Sequence, residues 1–181
     1  MSSPKAAKKS RMVPKSFRIS ESALLAVEAE AASQNVSANT LVNQILKQYA
    51  EFDRFARRIG SVKLSSACLR GLLSSSDADQ IIEVAKSGGS SIPQAFATAK
   101  NGRVDLESLM DHVRALATYA HLFEFSETID SEGQVVTLIH DFGLKWSIFL
   151  VHYVTEMFAQ IGVSPKLEMS DRSVIFTLPK A

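Results

Sequence analysis

The sequence predicts an α+β fold: a short strand and two helices, then a helical segment, then a β-β-α-β-β domain with an antiparallel sheet. Three observations carry this. Residues 13–20, "VPKSFRIS", alternate and run directly into a helix start. From there to about residue 120, apolar residues recur at spacings of three and four. Beyond Leu122 the period falls toward two, on either side of one long apolar helical stretch.

The strand is predicted over about 14–19. Phe17 and Ile19 fall on one side, with Pro14, Ser16 and Arg18 on the other. Pro14 marks its beginning, because proline has no N–H to give a ladder. No hairpin partner lies nearby, and a lone strand is not stable in water. Ser20 is a helix N-cap, and "SESALLAVEAEAASQN" is rich in Ala, Leu and Glu. Asn35 ends this helix, since Asn tolerates the left-handed conformation. Ser37 caps a second helix, "SANTLVNQILKQYAEFDRFARRI", and Gly60 stops it.

Residues 61–181 form a separate unit. "SSSDADQIIEVAKSGGSS" is a short capped helix between Ser-rich and Gly-Gly breaks, and "IPQAFATAKNG" is another, ended by Asn101-Gly102. "DLESLMDHVRALATYAHLF" is a third, with Leu106, Leu109, Met110, Val113, Leu116 and Ala117 on one face. "LFEFSETI" and "QVVTLIHDF" are strands joined by "DSEG". "LKWSIFLVHYVTEMFAQIG" is a helix apolar nearly all round, its polar stripe reduced to Lys145, His152 and Glu156. "KLEMS" and "SVIFTLP" make a second hairpin about Asp171.

Composition narrows the function classes. The 181 residues are 46% hydrophobic and 22% charged, an ordinary globular balance. The single cysteine, Cys68, excludes an internal disulfide framework and reads as a small buried or half-buried residue. No apolar region follows the basic start, and "WSIFLVHYVT", between Lys145 and Glu156, is too short for the roughly 20 residues a membrane span needs. The expectation is a cytoplasmic protein with no membrane partner.

The net charge of +1 conceals an asymmetry. Lys5, Lys8, Lys9, Arg11, Lys15 and Arg18 lie in the first 20 residues, which contain no acid, so the rest of the chain carries −5. Residues 1–12, polar and rich in Ser and Ala, read as a disordered basic tail. Charge concentrated this way points to a polyanion.

The stretch from Pro14 to about Tyr49 resembles the ribbon-helix-helix DNA-binding proteins of the Arc, MetJ and CopG type. Phe17 and Ile19 stand as the inward strand residues, and Val27 and Ala31 mark the first helix. "NVS" (Asn35 to Ser37) occupies the place of the family's Gly-x-Ser turn. Leu41, Val42, Ile45 and Leu46 form the inner face of the second helix. Two positions depart from the pattern: Glu30 stands where the family usually has Leu, and Asn35 replaces Gly. The resemblance covers roughly a fifth of the chain and none of the C-terminal domain.

It implies that residues 13–60 form an intertwined homodimer, or part of a higher oligomer. Two copies of the strand would then pair into a ribbon that enters the major groove of double-stranded DNA. Ser16 and Arg18 would touch base edges. The dimer core would be Phe17, Ile19, Val27, Leu41, Val42, Ile45 and Leu46. Phosphates would be held by Lys8, Lys9, Arg11 and Lys15, and by the start of the second helix at Ser37, Ala38 and Asn39. The function expected is a sequence-specific transcriptional regulator, with residues 61–181 sensing a small-molecule effector or driving assembly. The alternative is a non-catalytic, antitoxin-like or scaffold protein that uses the N-terminal unit only to dimerise.

No catalytic residue, cofactor or metal ligand set is predicted. His112 and His121 are nine residues apart on one helix and fall on opposite sides of it. His140 and Asp141 are adjacent on a strand and face opposite ways. Neither G-x-S-x-G nor G-x-x-x-x-G-K occurs. Asp141 is a candidate cap for the helix that follows. Trp146, Phe149 and Tyr153 are an aromatic stripe, read as core ahead of a small-molecule or enzymatic pocket.

Overall fold

Several helices begin where a short polar side chain holds a free N–H group. A computed structural model of the chain describes residues 12–131 and 133–179. It separates into two units, one up to Ile45 and one from Leu46. In the first, the Ser20 side chain accepts from the Ala23 N–H, and α1 runs Glu21–Ser33. Asn35 adopts φ 54°, and the Val36 N–H returns to the Ala31 carbonyl at 3.0 Å. Ser37 Oγ then accepts from the Thr40 N–H at 3.0 Å, opening α2, Ala38–Gln48.

The helix expected as far as Ile59 is not uniform. After α2 comes a π-helical turn, Tyr49–Asp53, and then α3, Arg54–Arg58. Such turns insert a residue into the ladder and have no simple sequence signal. Gly60, at φ 76°, ends α3 as expected.

Within the second unit, α4 (Ser66–Ser75) was not anticipated, because its Ser-rich ends resemble a break. Leu69 and Leu73, one turn apart, turn inward, while Cys68 beside them is exposed. The expectation of a buried or half-buried cysteine is therefore corrected. Lys145 Nζ donates to the Ser74 and Ser76 carbonyls at 3.0 and 2.7 Å, closing the end of α4. Capping boxes at Asp77 and Asp105 open α5 (Ala78–Gly89) and α7 (Leu106–Ala120). Between them α6, Ile92–Asn101, carries Pro93 in its first turn and ends at left-handed Gly102.

Strands β1 (Glu124–Ile129) and β2 (Gly133–Ile139) pair antiparallel. At the turn, the Asp130 N–H meets the Gly133 carbonyl at 2.9 Å. Helix α8, Leu144–Ala159, leads to β3 (Lys166–Met169) and β4 (Ser173–Pro179), also an antiparallel hairpin. The two hairpins join through β2 and β4, giving the order β1-β2-β4-β3 with Val136 opposite Phe176 and Leu138 opposite Val174. This is the mixed helix-and-antiparallel-sheet class the sequence predicts.

Alternation in β2 and β4 turns Val136, Leu138, Val174, Phe176 and Leu178 into the core. Helix α8 packs on β3 and β4 and also on α4, α5 and α7, which is why it is apolar nearly all round. A second cluster joins Phe55 of α3 to Phe96 of α6 and Ala115 of α7, flanked by Phe52 and Tyr119. Arg114 ties α7 to β1 by pairing with Glu107 and Glu127 at 2.9 and 3.0 Å.

His112 lies in this interior, 1% exposed, with Nε2 at 2.9 Å from the Tyr153 hydroxyl. Burial, with a smaller push from the Lys100 charge, holds its pKa down at about 3. In the pH range between that value and the ordinary 6.5, the unfolded chain binds a proton that the native chain refuses. His112 therefore leaves stability intact above about pH 6.5, and this stability is lost progressively as pH falls toward about pH 3. Denaturant unfolding followed through the single Trp146 checks this. From about pH 6 to about pH 4, the wild type should lose stability more steeply than a His112→Phe variant, by about 1.4 kcal/mol per pH unit.

Candidate functional site

Residues 12–20 form no regular hydrogen-bonded structure in the single chain, and every one of them is exposed. The strand expected over 14–19 is not observed in the single chain. Lys15, Ser16 and Arg18 lie open to solvent, and among the described residues Arg18 forms no ion pair. The apolar positions of the same stretch are also uncovered: Phe17 is 67% and Ile19 56% exposed.

The rest of the predicted dimer core divides. Leu41 is buried, and Val27 and Val42 are half-buried, while Ile45 and Leu46 are exposed at 50% and 51%. Leu24 and Leu25 of α1 are also exposed, though the sequence reading did not single them out. Ala31 is buried. Glu30 faces solvent, where its carboxylate accepts from Gln34 Nε2 at 2.7 Å.

The start of α2 is a capped end with two N–H groups to spare. Ser37 Oγ is engaged by the Thr40 N–H and shares a 2.8 Å hydrogen bond with Thr40 Oγ1. The Leu41 N–H reaches the Ser37 carbonyl. The N–H groups of Ala38 and Asn39 precede the first intrahelical donor and can face an anion. Asn39 is exposed and Ala38 half-buried. Lys8, Lys9 and Arg11 lie outside the described residues.

The other chemically suggestive groups are structural. His140 is buried between two bonds: its Nδ1 accepts the Phe142 N–H at 3.4 Å, and Nε2 lies 3.0 Å from Ser147 Oγ. With Nδ1 an acceptor, Nε2 carries the proton and donates to the serine, so the ring cannot deprotonate it. Ser147 is also fully buried. Burial, more than the nearby charges, pushes the His140 pKa down from the ordinary histidine value.

Asp141 does not cap α8. The N-cap is Gly143, with no side-chain bond, and Asp141 instead pairs with Arg172, whose carbonyl also accepts the His140 N–H. The ion pair couples the end of β2 to the β3–β4 turn. His121, in left-handed conformation, ends α7. Among the described residues no three His, Cys, Asp or Glu side chains gather as a metal site. No described helix is long and apolar enough to cross a membrane.

No protein-family model matches the chain, and no curated protein is significantly similar to it.

Proposed function

We propose that the chain is a sequence-specific regulator that binds double-stranded DNA as a homodimer or higher oligomer. In this reading residues 13–60 dimerise and contact DNA, and residues 61–181 sense a ligand or drive assembly. The observation that carries it is the exposed alternating stretch 13–20. Phe17 and Ile19 lack cover on one side, Ser16 and Arg18 are free on the other, and a Ser20-capped helix follows. Pairing two copies would bury the apolar side and present Arg18 and Ser16 outward, a width the major groove admits. Arg18 would donate two hydrogen bonds to one guanine, worth about 1–3 kcal/mol against a wrong base.

The same reading gives the basic tail a role. Lys8, Lys9, Arg11 and Lys15 would neutralise phosphates together with the open N–H groups of Ala38 and Asn39. These contacts set affinity and register, while Ser16 and Arg18 set sequence. A chain that only dimerised, as an antitoxin-like partner protein would, needs the apolar side alone and leaves Arg18 without a task.

Duplex binding measured across a salt series tests the proposal. Wild-type affinity should fall steeply with salt. The Lys8→Ala, Lys9→Ala variant should have a slope shallower by about 1.8, from about 0.9 per phosphate contact, with weakening common to all sequences. Failure of the wild type to retain any duplex at low salt would end the DNA-binding reading in favour of the interaction protein.

A further inference from the structure

We propose that β1 is a contact between copies of the chain: its outer edge pairs antiparallel with β1 of a second copy, across a two-fold axis through Glu127. Strand β1 ends the sheet, in the order β1-β2-β4-β3, and its residues from Ser126 to Ile129 are exposed.

The direction of its backbone groups follows from the turn. The Asp130 N–H donates to the Gly133 carbonyl at 2.9 Å, so Asp130 faces β2. Successive residues of an antiparallel strand face alternately toward and away from the partner. Register between β1 and β2 is unbroken from Glu124 to Ile129, so Glu124, Ser126 and Thr128 bond to β2. Phe125, Glu127 and Ile129 turn their N–H and C=O groups outward, where no described strand meets them.

Such an open row is a template for another strand, and natural edges are guarded by shortness, lysine, proline or a bulge. The opposite edge is guarded in this way: β3 has four residues and begins with Lys166. Strand β1, "EFSETI", has neither lysine nor proline, and its register carries no bulge. Ile129 is 83% exposed, so a single chain leaves its side chain uncovered.

The row fits a second copy of itself in one register. With Glu127 opposite Glu127, Phe125 lies opposite Ile129 in both halves, and every outward N–H and C=O of the three residues finds a partner. Moving the axis to Ser126 sets Ile129 against Phe123, and moving it to Thr128 sets Phe125 against Ser131, both beyond the strand. Directly opposed residues share a face. Ile129 would therefore cover the half-buried Phe125, and Ser126 would meet Thr128 on the other face, pairs that each stabilise a sheet.

Two like-charge pairs oppose this. Glu127 meets itself, but each carboxylate arrives held by Arg114 and by Gln134 Nε2, both at 3.0 Å. Glu124 meets Asp130 at the two ends, in solvent, where salt screens the repulsion. The contact is small, and its dissociation constant should be on the order of 100 µM. It needs neither the ribbon nor DNA, so its failure would leave the DNA-binding reading untouched.

Amide exchange of the full-length chain, resolved by residue with NMR at concentrations from about 20 µM to about 1 mM, tests this. The Phe125, Glu127 and Ile129 amides should exchange about fourfold more slowly at the upper concentration, following the fraction paired. Those of Ser126 and Thr128, bonded to β2, should be protected alike throughout. Ile129→Pro removes one outward N–H and the uncovered side chain without touching a bond between β1 and β2. It should erase the concentration dependence at Phe125 and Glu127. Equally fast exchange of the three wild-type amides at every concentration would overturn the proposal without recourse to any variant. Wild-type concentration dependence in a folded Ile129→Pro protein would also overturn it.

Discussion

Replacing Phe17 and Ile19 together by alanine is expected to dissociate the proposed dimer and abolish the proposed duplex binding, with the second unit still folded. Both side chains stand more than half exposed in the single chain, so the substitutions remove little that holds one copy together. In the paired ribbon each would be buried, and truncation would forfeit roughly 1.5 kcal/mol per side chain. Two residues in two copies make that about 6 kcal/mol, more than a ten-thousandfold rise in the dimer dissociation constant. Because the proposed ribbon would form only in a dimer, DNA affinity would fall with it. Sedimentation velocity and duplex retention on the same samples check the two effects, and unfolding followed through Trp146 checks that the second unit survives. An undiminished dimer would remove Phe17 and Ile19 from the interface.

Gly89→Ala is expected to destabilise the second unit by about 3 kcal/mol, while Gly88→Ala stays within about 1 kcal/mol of wild type. The two glycines end α5 side by side, but they meet α8 differently. A Cβ on Gly89 would fall inside the van der Waals envelope of the Tyr153 carbonyl oxygen and crowd the Glu156 Cβ at 3.1 Å. That obstruction is main chain of a packed helix, so α5 and α8 would have to separate. A Cβ on Gly88 would reach the Tyr153 ring at 3.5 Å, an ordinary contact. There the better helix propensity of alanine offsets any adjustment. Denaturant midpoints of the two variants measure the contrast, and similar losses in both would show that helix propensity, and not the close crossing, decides the outcome.

The parts of this fold that announce themselves in the sequence do so through local chemistry. Asp77 and Asp105 open helices because their carboxylates reach the N3 backbone. Asn35 and Gly102 end them because they adopt positive φ. "DSEG" joins two alternating runs that pair in register. What escaped depends on distant partners. Helix α4 looks like a Ser-rich break until Lys145, far along the chain, closes its carbonyl end. Asp141 reads as a cap until Arg172 claims it. The π-helical turn at Tyr49–Asp53 leaves no mark in the spacing of apolar residues.

The candidate sites divide along the same line. The alternation of residues 13–20 and the cap at Ser20 are local and legible, whereas a ribbon needs a second copy that no single-chain pattern contains. Trp146, Phe149 and Tyr153 are visible as an aromatic stripe on one helix. Of these, Tyr153 meets His112 of α7, 41 residues away, and only packing brings the two together. The unpaired His112 Nδ1 and Trp146 Nε1 atoms are properties of that packing alone.

The most direct test of the central claim is selection from random duplex DNA by the full-length protein, run beside a Ser16→Ala, Arg18→Ala variant. The account predicts that the wild type enriches a motif with two related half-sites, and that the variant retains DNA in a salt-sensitive way but enriches no such motif. Enrichment of the same motif by both proteins, or of none by the wild type, would contradict it.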